Sequence, residues 1–166
     1  MLDGMRHSTK ARILKYSEDI TPYKGREQEF HDKFKPYETI KVDTNVCLEE
    51  GINRCIELIC GTGSLPYSNA VALIGVGNGT LTATSNQTGW QGGTYEYAAM
   101  EAGFPSLGDQ AMRFKGSFAS GNAEFVWREW GVVNGTASDK HFNRKQEAMG
   151  EKTGGTWTIE GTVTMS

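Results

Sequence analysis

Long hydrophobic runs are missing from this 166-residue chain. No stretch of about 18 apolar residues is available to cross a bilayer as a helix. The opening MLDGMRHSTKAR lacks the apolar segment of a secretory leader, so the expectation is a soluble, unprocessed protein made in a cytoplasm. Cysteine is scarce and odd in number: Cys47, Cys55 and Cys60 are the 3 present. Without a matching histidine spacing they support neither a disulfide framework nor a zinc site, and they read as reduced, semi-buried thiols. The 3 histidines, His7, His31 and His141, are scattered among charged residues and read as solvated, not as ligands. No charge of one sign dominates either. The net charge of −3 gives no basic face with which to grip phosphates, so nucleic acid is not an expected partner. A P-loop, a nucleophile elbow and a dinucleotide fingerprint are likewise missing. GVGNGT at 75–80 is rich in glycine but lacks the Lys-Ser/Thr that would hold a nucleotide, and reads instead as a tight turn with glycines at positive φ. Glu124 and Glu129 fall on opposite faces of one strand and cannot flank a glycosidic bond. The expectation is a protein without catalytic residues, cofactor or metal.

What is present is centred on EFVWREWGVV, 124–133. Extended, it sets Phe125, Trp127 and Glu129 on one face and Val126, Arg128, Trp130 and Val132 on the other. Bulk on both faces predicts a central strand with material packed over each side. Arg128 and Glu129 are adjacent, point opposite ways, and must each find a partner on a neighbouring strand or loop. Before it, AMRFKGSFA at 111–119 alternates cleanly, and Ser120-Gly121-Asn122 predicts a hairpin joining the two as antiparallel neighbours. After it, TWTIEGTVTM puts Trp157, Ile159, Gly161, Val163 and Met165 on one face and threonines and Glu160 on the other. NAVALIGV at 69–76 is a buried strand by length and composition. YEYAAMEAG could be a short helix or an extended edge, and HFNRK a short strand or loop. Only VCLEEGINRCIELIC carries helical spacing, with Leu48, Ile52, Cys55, Ile56 and Ile59 on a stripe expected to be buried.

The first quarter differs in kind. Nine of the 17 basic and eight of the 20 acidic residues lie within residues 1–45. Its hydrophobic residues are isolated, and Pro22 and Pro36 interrupt any single helix. Anchors spaced in this way make no core of their own but could fill small pockets on another surface. Residues 1–44 are therefore expected to be an extended docking arm that grips a partner through Ile13, Leu14, Tyr16, Tyr23, Phe30, Phe34 and Tyr37. Residues 45–166 are expected to fold as a mainly β domain, an antiparallel β-sandwich with one amphipathic helix.

Taken in order, EEGINRCIELI, NAVALIGVGNGT, QTGWQGG, FVWREWGVVNG and NRKQEAMGEKTGGTWTIEGTVTMS resemble small structural proteins of tailed bacteriophages. The layout is similar to the N-terminal domain of tail-collar fibre proteins and covers roughly residues 45–166. The resemblance implies a non-enzymatic virion protein, homo-oligomeric and docked on major capsid or tail and neck proteins. It brings no catalytic residues. The charged first quarter has no counterpart in that layout and also fits a capsid decoration or head-fibre component whose arm spreads over a neighbouring subunit. A rival reading is a carbohydrate-binding module, with Trp90, Tyr95 and Tyr97 as a stacking platform.

Overall fold

The computed structural model describes residues 7–62, 65–135 and 140–165, with the side chains of His7 and Met165 left aside. The strands are β1 (His7–Tyr16), β2 (Glu38–Asp43), β3 (Val46–Cys47), β4 (Leu73–Gly77), β5 (Tyr95–Ala99), β6 (Ser106–Gly108), β7 (Ala111–Phe118), β8 (Val126–Val133), β9 (His141–Glu151) and β10 (Thr156–Met165). The helices are α1 (Glu27–Lys33) and α2 (Glu49–Ile59). Two antiparallel five-stranded sheets, ordered β2-β1-β10-β7-β6 and β3-β9-β8-β4-β5, enclose the core. The protein is a β-sandwich.

The alternation of β10 holds: Trp157, Ile159 and Val163 enter the core, while on the other face Thr156 and Thr158 are themselves fully buried and Glu160, Thr162 and Thr164 are half-buried. β8 is central in its sheet, paired with both β9 and β4. Its two tryptophans, however, share one face. A register shift between Trp127 and Glu129 resets the alternation, so Trp127 and Trp130 both enter the core between the sheets.

Of the expected arm, residues 1–44, the first six lie outside the described residues, and residues 7–44 are not an extended arm. β1 pairs with β10 from His7↔Met165 to Tyr16↔Thr156 and with β2 on its other edge. Ala11 and Ile13 point into the main core. Leu14 and Tyr16 point the other way, where Ile20 and Phe30 cover them in a second small cluster, with Tyr23 and Phe34 packed alongside. Phe30 sits among the rings of Tyr16, Tyr23 and Phe34. The anchors fit no single helix because they serve two opposite faces of a strand and a separate short helix. α1 is thus a second helix beyond the one expected.

The 119–125 turn does not form a hairpin within one sheet. β7 and β8 belong to different sheets, and this turn carries the chain across the sandwich, with Gly121 at φ 84° and Ala123 at φ 51°. Ala123 is buried and its carbonyl accepts the indole N–H of Trp127 at 2.9 Å. YEYAA is the edge strand β5, and HFNRK opens the eleven-residue β9. Beyond β5 the sheets touch at an isolated Met100–Gly116 bridge, where the amide of Glu101 donates to the carbonyl of Lys115 at 2.9 Å.

Candidate functional site

Glycines 75, 77 and 79 do not adopt positive φ; they are small because side chains press on them. A Cβ on Gly77 would lie 2.6 Å from Oε1 of Glu129, and one on Gly75 would enter the indole of Trp90. Glu129 is fully buried on the outer face of β8, under the loop that links β4 to β5. Its Oε1 accepts from the amides of Gly79 (2.9 Å) and Gly92 (3.0 Å), and its Oε2 from the amide of Gln91 (3.2 Å) and Nε of Arg144 (2.6 Å). Arg144, also fully buried, donates onward to Gln87 Oε1 and Leu81 O, both at 2.9 Å. One carboxylate with four donors thereby folds a polar loop onto a sheet. The glycine pattern singled out in the sequence is the imprint of this knot.

Trp90 rides on the same loop. It lies against Gly75 and Gly131 and donates its indole N–H to Tyr97 Oη at 2.9 Å. Tyr95 is stacked beside it, with centroids 6.4 Å apart at 25°, and is exposed. The structure therefore gathers Trp90, Tyr95 and Tyr97 on one face. His141, expected to be solvated, packs edge-on against Trp90 at 4.7 Å and is buried beside Glu50.

A second polar group lines a cleft of about 520 Å³ between β5, the end of β7 and the segment at Ile20–Glu27. Glu101 is buried there, with His31 Nε2 at 3.0 Å, Ser117 Oγ donating at 2.5 Å and Lys115 Nζ at 3.4 Å. Burial by itself would raise the pKa of this carboxyl. The hydrogen bonds from His31 and Ser117 and the Lys115 charge outweigh burial and hold it below its ordinary 4.5. His31 also meets Tyr16 Oη at 3.1 Å, whose own pKa is pushed up to about 12 by burial and by the nearby Glu160 and Glu101 charges. Ser117 hydrogen-bonds to a carboxylate held ionised and to Thr158, an arrangement that ties α1 to β7 and gives the hydroxyl no imidazole base.

The amphipathic helix is rotated from the expectation: Leu48 and Cys55 of the expected stripe do face the core, but its three isoleucines do not. Leu48 and Gly51 are buried, and a Cβ on Gly51 would fall 2.5 Å from both the His141 carbonyl oxygen and Phe142 Cα. α2 thus presses its backbone onto β9 through a glycine. Ile52, Ile56 and Ile59 are left 44%, 53% and 86% exposed. They stand at i, i+4 and i+7, a continuous apolar stripe on one side of the helix. The local signal was Gly51, which has no place in a freely solvated helix face unless a backbone approaches it. Cys55 is half-buried and Cys60 exposed, whereas Cys47 is buried and its thiol pushed up to about 11 by burial and the neighbouring Cys55.

No family model, no curated protein and no solved structure matches this chain. Among the described residues no group of three or more His, Cys, Asp or Glu is placed to hold a metal, and no helix is long and apolar enough to cross a membrane. Of the seven residues expected to dock, Ile13, Leu14, Tyr16 and Phe30 are buried in this chain's own cores, Tyr23 and Phe34 pack on the smaller one, and Tyr37 alone is strongly exposed, at 61%.

Proposed function

We propose that this protein is a non-enzymatic structural component of a tailed-phage virion, and that it docks on its neighbours through the outer face of α2 instead of an N-terminal arm. The observation that carries the docking surface is the isoleucine stripe, Ile52, Ile56 and Ile59, open to solvent on a helix whose other side is fastened to β9. Covering one such side chain fully contributes about 1.5–3 kcal/mol, and repetition around a symmetric particle would add avidity to a weak single contact. The virion setting rests on the ordered resemblance of residues 45–166 to phage structural proteins. The buried Glu129–Arg144 pair and its glycines give a physical reason for the segments that carry that resemblance.

The test is incorporation. The Ile52→Asp, Ile56→Asp double variant should keep the wild-type melting temperature and be lost from purified particles, as read by mass spectrometry and by electron-microscopy density. Few copies per particle would point to the tail or neck, and a copy number on the scale of the shell lattice to the capsid. Wild-type protein absent from particles, or the double variant present at the normal level, would overturn the proposal.

The clustering of Trp90, Tyr95 and Tyr97 favours a second reading, a carbohydrate-binding module. Against it, Trp90 rests on two glycines with its N–H already donated, which leaves Tyr95 as the outward ring. Glycan-array binding abolished by Tyr95→Ala would support this second reading.

A further inference from the structure

We propose that β2 is a dimerisation edge: two copies of this chain pair antiparallel along it, about a two-fold axis at Val42, and join two five-stranded sheets into one. The edge strands of the sandwich are β2, β6, β3 and β5. β3 and β6 are two and three residues long. β5 is bridged to β7 just beyond Ala99, and its Glu96 holds the 119–125 turn through Asn122 and the amide of Ala123. β2 runs for six residues and pairs with β1 alone. Its outward backbone groups can be named. The carbonyl of Lys15 accepts the amide of Tyr37 at 2.8 Å, so Lys15 turns its backbone toward β2, and by alternation Ile13 and Ala11 do the same. Their register partners Glu38, Ile40 and Val42 turn back toward β1, which leaves the N–H and C=O groups of Thr39, Lys41 and Asp43 facing outward. Among the described residues nothing hydrogen-bonds to those groups. Such an edge is a template for another strand.

Charge selects a second copy as the occupant, and it selects the register. Val42 enters the core, so Lys41 and Asp43 point to the outer face of the sheet, where both are exposed. Neither side chain has an ion-pair or hydrogen-bond partner among the described residues. Lys41 stands directly opposite Arg12, and Asp43 opposite Lys10. Like charges directly across a sheet are destabilising. The carboxylate beside Arg12, that of Glu160 at 2.5 Å, is shared with Lys115 at 3.3 Å, so the Arg12–Lys41 pair lacks an anion of its own. A two-fold axis at Val42 sets Lys41 opposite the partner's Asp43, and Asp43 opposite the partner's Lys41, on one face. Each such pair exchanges its outward backbone N–H and C=O groups, and each Arg12–Lys41 pair gains a carboxylate. An axis at Lys41 would press the two lysines together, and one at Ile40 would leave Lys41 and Asp43 unanswered in both copies. A lysine within an edge strand ordinarily keeps other strands away; with Asp43 two residues on, it admits a strand of complementary charge, which this chain itself supplies. Contact of one patch with its own copy about a two-fold axis is the commonest form of oligomer. Neither α2 nor Trp90 takes part, so this interface stands independently of both readings above.

The experiment is sedimentation equilibrium of the full chain over a range of concentrations. Wild type should dimerise, and more weakly as salt is raised. Lys41→Asp and Asp43→Lys change exposed side chains and should each leave the circular dichroism spectrum unaltered. Each sets like charges opposite one another twice, so each should weaken dimerisation by at least about tenfold. The double swap Lys41→Asp, Asp43→Lys restores opposite charges in this register and should bring the dimer back. An equimolar mixture of the two single variants should also dimerise, because one chain then carries two carboxylates at the edge and the other two ammonium groups. Amide exchange at Lys41 and Asp43 should be slower in the dimer than in dilute monomer. A wild type that stays monomeric, a dimer indifferent to both single swaps, mixed single variants that fail to associate, or a dimer dispersed by the Ile52→Asp, Ile56→Asp change would each overturn the proposal.

Discussion

Replacing Glu129 with Gln tests the knot under the β4–β5 loop. The substitution keeps the shape of the side chain, removes its charge and turns one acceptor into an NH2 donor. Whichever way the amide is oriented, its nitrogen faces two N–H groups: those of Gly79 and Gly92 on one side, or those of Gln91 and Arg144 on the other. Arg144 is fully buried, so its guanidinium would keep only neutral acceptors, Gln87, Leu81 and, in one of the two orientations, the new amide oxygen. Breaking a buried ion pair by removing one partner costs about 3–5 kcal/mol, a large share of the roughly 5–15 kcal/mol that a domain holds. At about 2–4 °C per kcal/mol for a chain of this size, the melting temperature should fall by about 6–20 °C. Hydrogen exchange supplies the local readout: the Gly79, Gln91 and Gly92 amides should lose protection well before those in the middle of β10. A loss below about 1 kcal/mol, or unchanged protection at those three amides, would refute the claim that the carboxylate organises the loop. Adding Arg144→Met should recover part of the loss, because it removes the cation that the first change strands.

Three further outcomes are expected. Gly51→Ala should cost about 1–3 kcal/mol by overpacking, since its methyl would fall 2.5 Å from the β9 backbone; urea denaturation would show it, and a neutral result would mean that α2 is not pressed onto that strand. Glu101 has a folded pKa below its ordinary 4.5, so the stability it contributes is fully present above that value and is lost as pH falls through the lowered folded value. Wild type should therefore lose stability on acidification below about pH 4.5, and Glu101→Gln should be less stable at neutral pH with a shallower acid decline; parallel acid profiles would contradict the assignment. In a thiol-reagent assay of the native protein, exposed Cys60 should react first, half-buried Cys55 slowly and Cys47 only after denaturation; rapid labelling of Cys47 would show that its strand opens.

The sequence by itself determined the sandwich, the centrality of Glu124–Val133, the alternating terminal strand and the existence of a helix near Glu49. Each depends on period and bulk, which are properties of neighbours along the chain. It also required that Glu129 find a partner off its own strand, without naming Arg144, because that pairing spans the β8–β9 register. Tertiary structure alone decided which side of each element is covered. Residues 1–44 read as an arm since their anchors serve two cores on opposite faces of β1, and nothing local to the chain shows that β10 leaves an edge for β1 to fill. The isoleucine stripe of α2 read as core since apolar spacing marks a face without saying whether anything lies against it; the contact was made instead at Gly51, where a missing side chain lets two backbones meet. The open edge of β2 belongs to the same class, because the presence or absence of a neighbouring strand is a relation between distant segments and leaves no mark on the order of residues.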